Sequence, residues 1–206
     1  MAWIDDQLVA RGIRDMRVLD AMRRVPRHEF VEHETQGLAY ADRALPIGDG
    51  QTISQPYMVA AMTEALRLQG RERVLDVGTG SGYQAAILAE LAREVVTIER
   101  RPELADAARE RLAALGYRNI RVVVGDGSVG YVEDAPYDGI LVAAASPRVP
   151  ESLKQQLADG GRLVIPVGPP DQQRLTVVTR NGDGFVESVH EGCVFVPLVG
   201  AEGWPE

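Results

Sequence analysis

Two hydrophobic rhythms divide the chain. Up to about Arg67 the apolar positions recur at helical spacing and are repeatedly interrupted. In Asp15 to Met22 (DMRVLDAM), Met16, Leu19 and Met22 fall at i, i+3 and i+6, which predicts a helix with one buried face, ended by Pro26. Tyr57 to Leu68 (YMVAAMTEALRL) predicts a second helix, with Pro56 suited to its first turn. From Arg73 onward the pattern changes to short β-branched runs: RVLDVG, EVVTIE, IRVVVG, GILVAAA and GRLVIPVG. Such runs predict strands covered on both faces. Ala/Leu-rich stretches, Ser81 to Leu91 and Pro102 to Leu115, separate the first three runs and predict helices. Strand and helix in alternation predict an α/β fold, a doubly wound and mostly parallel sheet. RLTVVTR, the turn NGDG and FVESVHEGCVFVPL then predict an antiparallel pair that closes the sheet.

No repeat or low-complexity segment interrupts this plan, and 206 residues suffice for one domain with a full core. Residues 1–68 are expected to form a helical cover and a substrate loop, 69–200 the cofactor-binding sheet with its closing strands, and 201–206 a short tail. The net charge of -8 argues against general attraction to nucleic acid or to an anionic membrane. No run approaches the roughly 18 apolar residues of a membrane span. MAWIDDQLVARGIRD carries acid early and lacks the apolar segment of a signal peptide. The single Cys193 excludes an intramolecular disulfide. The expectation is a soluble, cytoplasmic monomer.

The candidate chemistry begins where the first strand meets its helix. Asp76-Val77-Gly78-Thr79-Gly80-Ser81-Gly82 occupies the carboxyl end of that strand, where parallel sheets bind ligands. Small residues there let a ligand approach the backbone and the helix N-terminus. A dinucleotide loop requires a third small residue at the position held here by bulky Tyr83. The spacing G-x-G-x-G, with an acid two residues earlier, instead resembles motif I of the class I S-adenosylmethionine-dependent methyltransferases. Glu99 ends the second strand, where a carboxylate can accept from both ribose hydroxyls or can be a solvated terminus. Arg100 follows it and can lie over an adenine face. After the third strand, Asp126 and Gly127 suit an adenine contact and suit a turn equally well. Three such loops in order at successive strand ends point to a nucleoside cofactor.

A more particular resemblance spans about Asp6 to Gly200. RVPRHEFV, LAYADRALPIGDGQTISQP, LDVGTGSGYQAAILAEL, IRVVVGDGS, PYDGILVAAASPRVPESLKQQLADGGRLVIPVG and FVPLVG resemble the protein-L-isoaspartate O-methyltransferase family. The resemblance implies a Rossmann-like methyltransferase fold with S-adenosyl-L-methionine as cofactor. It implies Ser54 as the active-site residue, with Gln51, Thr52 and Ile53 along the cofactor and substrate. It also implies methyl esterification of isoaspartyl residues in damaged proteins, which lets them return to aspartate through a succinimide. Taken alone, Ser54 is also a candidate N-cap of the helix that follows. Val196, Leu198 and Val199 of FVPLVG are candidate contacts for an extended peptide, although the segment fits an edge strand as well. Ala143, where the family often has Thr, and the tail 201–206 are departures expected to leave the reactive loop untouched.

Other chemistries fit less well. In His28-Glu29-Phe30-Val31-Glu32-His33 the second His comes one residue too late for H-E-x-x-H, and the scattered His with one Cys suggest no metal site. Gly80-Ser81-Gly82 lacks the leading Gly of a hydrolase elbow, Thr79 standing there instead. Ala143-Ala144-Ala145-Ser146-Pro147 is unlike the Asn/Asp-Pro-Pro-aromatic segment of amino-directed base methyltransferases. Two rivals remain: a binding module that recognises isoaspartyl or C-terminal groups without turnover, and a nicotinamide oxidoreductase, which Tyr83 disfavours.

Overall fold

A computed structural model describes residues 2–205. Five strands run parallel: β3 (Arg73–Val77), β4 (Glu94–Glu99), β5 (Ile120–Val124), β6 (Tyr137–Val142) and β7 (Leu157–Val167). The antiparallel β8 (Gln173–Asn181) and β9 (Gly184–Cys193) complete a seven-stranded sheet in the order β5-β4-β3-β6-β7-β8-β9. Helices α1 (Ala2–Gln7), α2 (Met16–Arg24), α3 (Pro56–Leu66), α4 (Tyr83–Ala89), α5 (Pro102–Ala114) and α6 (Glu151–Gln155) accompany it.

Strand alternation distributes the apolar side chains between two cores. Val74, Val95, Leu141 and Val164 join a cluster with α2, α3 and α4. Their neighbours Leu75, Val96, Ile140 and Leu163 belong to a second cluster containing Leu153 of α6 and Leu198. Period-two alternation with both faces covered explains why these strands are apolar throughout. The strand order reverses direction between β3 and β6, which opens a crevice at their carboxyl ends.

Three local expectations are corrected. Met16 is 60% exposed, and the buried face of α2 is instead Val18, Leu19, Ala21 and Met22. Met16 is the first residue of its helix and projects past the end of the core. The run IRVVVG forms a strand, yet it lies at the sheet edge and Val124 is half exposed. FVPLVG makes no strand: it forms isolated bridges from Pro197 to Ala145 and from Val199 to Trp204. Within residues 1–68 the expected loop is framed by strands. Two short strands, β1 (Leu45–Pro46) and β2 (Thr52–Ile53), pair antiparallel and fold Gly48 to Gln51 into a tight loop.

Candidate active site

The crevice is a cavity at the switch point, walled by several separate stretches of the sequence. Gln51, Thr52, Ile53 and Ser54 come from β2 and the residues on either side of it. Gly78, Thr79 and Gly80 follow β3, and Glu99 and Arg100 end β4. Gly127, Val196, Leu198 and Val199 complete the set. Tyr83, Ile98, Arg101, Ala143 and Pro197 also line it and were not assigned to the site from sequence. Each is close in the chain to a residue that was, so position was the available signal.

Three expected cofactor residues do not line this cavity. Gly82 caps α4 at φ 90°, and a Cβ there would lie 3.3 Å from Leu112 Cδ1, so it serves close helix packing. Asp126 accepts from Ser128 N–H and Oγ at 2.9 and 2.7 Å and from Ala201 N–H at 2.8 Å. Burial pushes its carboxyl up, but these bonds outweigh it and hold the group below the usual carboxylate range. Asp76 is fully buried beneath the glycine loop. Its Oδ2 accepts from Thr97 Oγ1 at 2.8 Å, while Oδ1 has no protein partner among the described residues. Burial pushes its carboxyl up to about 7; the Thr97 bond opposes that and the nearby Glu99 adds to it. Thr97 also meets Thr79 Oγ1 at 2.7 Å, linking the buried acid to the cavity wall.

The remaining donor set suits a nucleoside. Glu99 is held rigidly, Oε2 accepting from Gly80 N–H at 2.9 Å and Oε1 from Arg101 N–H at 3.1 Å. An ionised carboxylate keeps further lone pairs, which can accept ribose hydroxyls. Gly127 keeps the floor open: a Cβ there would lie 2.6 Å from Val77 Cγ1 and 3.2 Å from Ile98 Cγ2. Ile98, Val77 and Leu198 supply apolar walls for a flat ring.

Ser54 is not the N-cap of α3. Gln55 occupies that position, and Asp42 Oδ1 accepts from Tyr57 N–H at 3.4 Å in the role of a remote cap. Asp42 also receives Gln55 Nε2 at 2.8 Å and the Arg11 guanidinium at 2.6 Å. A second cavity opens on the far side of Ser54, lined by Arg11, Gln55, Tyr57, Glu191, Cys193 and Phe195 among others. Thr52, Ser54, Ala143 and Val196 line both cavities, so they form the partition between them. Leu198 and Val199 line the first and not the second. Ala143 therefore shares a wall with the reactive loop instead of lying apart from it.

The tail is part of this architecture. Glu202 N–H donates to Ser128 Oγ at 3.0 Å, and the Glu202 carboxylate receives Ser152 N–H and Oγ. Trp204 Nε1 donates to Ala145 O at 3.1 Å, while Ala145 brackets Pro197 through bonds from its own N–H to Val196 O and from Leu198 N–H to its carbonyl. The last residues thus strap the 196–199 wall onto the sheet. Among the described residues no cluster of three potential metal ligands occurs, and no helix is long and apolar enough to cross a membrane.

Comparison with known proteins agrees with this geometry. The family model described as Protein-L-isoaspartate(D-aspartate) O-methyltransferase matches residues 3–203. A protein-L-isoaspartate O-methyltransferase of Methanoculleus marisnigri is 57% identical over 202 residues, covering 98% of this chain and 91% of its own. A solved protein-L-isoaspartate O-methyltransferase superposes with a TM-score of 0.88 at 29% identity, covering 97% of this chain and 66% of its own. A Plasmodium falciparum protein assigned to the same activity, in complex with S-adenosyl-L-homocysteine, gives a TM-score of 0.81 at 26% identity, covering 96% and 97%. The chain belongs to the protein-L-isoaspartate(D-aspartate) O-methyltransferase family.

Proposed function

We propose that this protein transfers a methyl group from S-adenosyl-L-methionine to the free carboxylate of L-isoaspartyl residues. The observation that carries the reading is the shared partition: Thr52, Ser54, Ala143 and Val196 separate two cavities that an acceptor and a cofactor would enter from opposite sides. The cofactor would lie against Gly78, Thr79, Gly80, Glu99, Arg100 and Gly127, and supplies a methyl group on a positively charged sulfur. Gln51, Thr52 and Ile53 would border it from the reactive loop.

An isoaspartyl residue carries the chain through its side chain, so its free group is an α-type carboxyl with a reference pKa of roughly 3.3–3.7. At neutral pH it is already the anionic nucleophile, and no general base is needed. What the protein must supply is position. Ser54 donates one hydrogen bond that orients a carboxylate oxygen without neutralising it, as an Arg in its place would. Ser54 acts as a donor, not as a covalent nucleophile. The resulting ester cyclises to a succinimide that reopens to aspartate, so the outcome is repair of damaged proteins. The acidic net charge of -8 fits protein and not nucleic acid as partner, and we place the chain in the cytoplasm as a monomer.

The test is transfer of labelled methyl to two peptides that differ only in isoaspartate or aspartate at one position. Base-labile label on the isoaspartyl peptide alone is the expected result. Tight cofactor binding with label on neither would reduce the protein to a binding module.

A further inference from the structure

Arg27 is the largest fully buried side chain among the described residues, with no exposed surface. It lies on the short 3-10 turn Arg27–Phe30 that follows α2. Among the described residues no carboxylate forms an ion pair with it. Its guanidinium instead donates from Nε to Ala39 O at 2.7 Å and from Nη2 to Ser54 O at 2.8 Å, while Nη1 has no hydrogen-bond partner among the described residues. The same group lies 4.8 Å from the centroid of the Tyr83 ring, and Phe30 packs edge-on against that ring at 5.4 Å. A buried cation facing only neutral acceptors is expensive, and an apolar side chain would fill the space at lower cost. What the guanidinium provides is a rigid fork with fixed donor directions. One prong ends on the reactive loop at Ser54, and its face rests on the first residue of α4, directly after the glycine loop.

We propose that Arg27 is a positioning residue that fixes Ser54 relative to the glycine loop, so that the acceptor and the cofactor meet in register. Ser54 and Tyr83 both line the first cavity, and Arg27 touches both without lining it. The Asp42 bonds to Gln55 and to Tyr57 N–H hold the loop's other side, leaving the Ser54 carbonyl as the point that Arg27 controls. Tyr83, which sequence reasoning used only to argue against a dinucleotide, supplies the base of this support. The inference rests on the reading of Ser54 as the residue that orients the acceptor.

The experiment compares the parent with Arg27→Lys, which keeps the charge but loses the fork, and Arg27→Met, which keeps the bulk alone. Steady-state methyl transfer to an isoaspartyl peptide is measured beside calorimetric titration with S-adenosylhomocysteine, which counts folded sites. The expected result is a fall in kcat per cofactor-binding site of about 30- to 100-fold in both variants, since misplacement by about 1 Å costs on that order. The affinity for S-adenosylhomocysteine should stay within about threefold, because Arg27 does not line the cavity. In a Ser54→Ala background, Arg27→Lys should add less than about a further threefold, because the group it positions is gone. Unchanged kcat per site, or additive losses in the double variant, overturns the inference. So does a variant that no longer binds S-adenosylhomocysteine, which would assign Arg27 to the fold. Absence of transfer by the parent would refute the functional reading itself, an outcome distinct from all of these.

Discussion

An Asp76→Asn chain should gain stability over its parent as the pH rises. Asp76 is fully buried, and burial, with the charge of Glu99 nearby, pushes its carboxyl up to about 7 despite the bond from Thr97. In the unfolded chain the same group titrates near 3.9. The folded protein therefore holds this proton more tightly than the unfolded chain does. Below about pH 4 the group costs nothing. Between about pH 4 and pH 7 ionisation favours unfolding, and above pH 7 the cost is complete. At 1.36 kcal/mol per unit the full cost is about 4 kcal/mol, about half of it already incurred at pH 5.5. Asn keeps the acceptor for Thr97 and cannot ionise, so any mismatch it introduces is the same at every pH. Urea unfolding of both chains without cofactor, at pH 5.5 and 8.5, isolates the ionisation. The difference in unfolding free energy should move by about 2 kcal/mol in favour of the Asn chain at the higher pH. A difference that stays constant, or that moves toward the parent, refutes the burial argument.

Gly127→Ala forces a methyl to within 2.6 Å of Val77 Cγ1 at the cavity floor. Overpacking of about 1–3 kcal/mol, felt when the cofactor fills the cavity, should weaken S-adenosylhomocysteine by about 5- to 150-fold in calorimetry, and unchanged affinity would show that the floor yields. Trp204→Phe removes the bond to Ala145 O and should lower Tm by about 2–4 °C, a loss of about 1 kcal/mol; an unaltered Tm would mean that the strap holds without it. Burial, with Glu191 close by, pushes the Cys193 thiol up to about 11, so its thiolate is scarce at pH 8. Its reaction with a disulfide reagent there should be at least about 100-fold slower than that of free cysteine, accelerating toward pH 11, whereas a rate matching free cysteine would contradict the burial.

The sheet was legible because a parallel strand buried on both faces must be apolar throughout, as in RVLDVG and GILVAAA. The same composition in IRVVVG gave no hint that it lies at an edge, since edge position depends on strand order, a non-local property. The cavity residues on the glycine loop, Glu99 and Gly127 followed from their place at strand ends. Asp126 was ambiguous because an Asp between glycines suits a ligand and a turn alike, and here the turn and the tail bond to it. β1 and β2 contribute two residues each, too few for any periodicity to show. Arg27 was hidden for the opposite reason: a charged residue in RVPRHEF suggests surface, and only the convergence of Ala39, Ser54 and Tyr83 explains its burial.

The central claim is that Ser54 orients an acceptor carboxylate that is already ionised. The most direct measurement is kcat of Ser54→Ala at saturating S-adenosylmethionine and isoaspartyl peptide, with S-adenosylhomocysteine affinity measured on the same sample. The account predicts that kcat falls about 100-fold while the affinity changes by less than about threefold, because one orienting donor is lost and the cofactor walls remain. A Ser54→Ala protein that turns over at the parent's rate would contradict it.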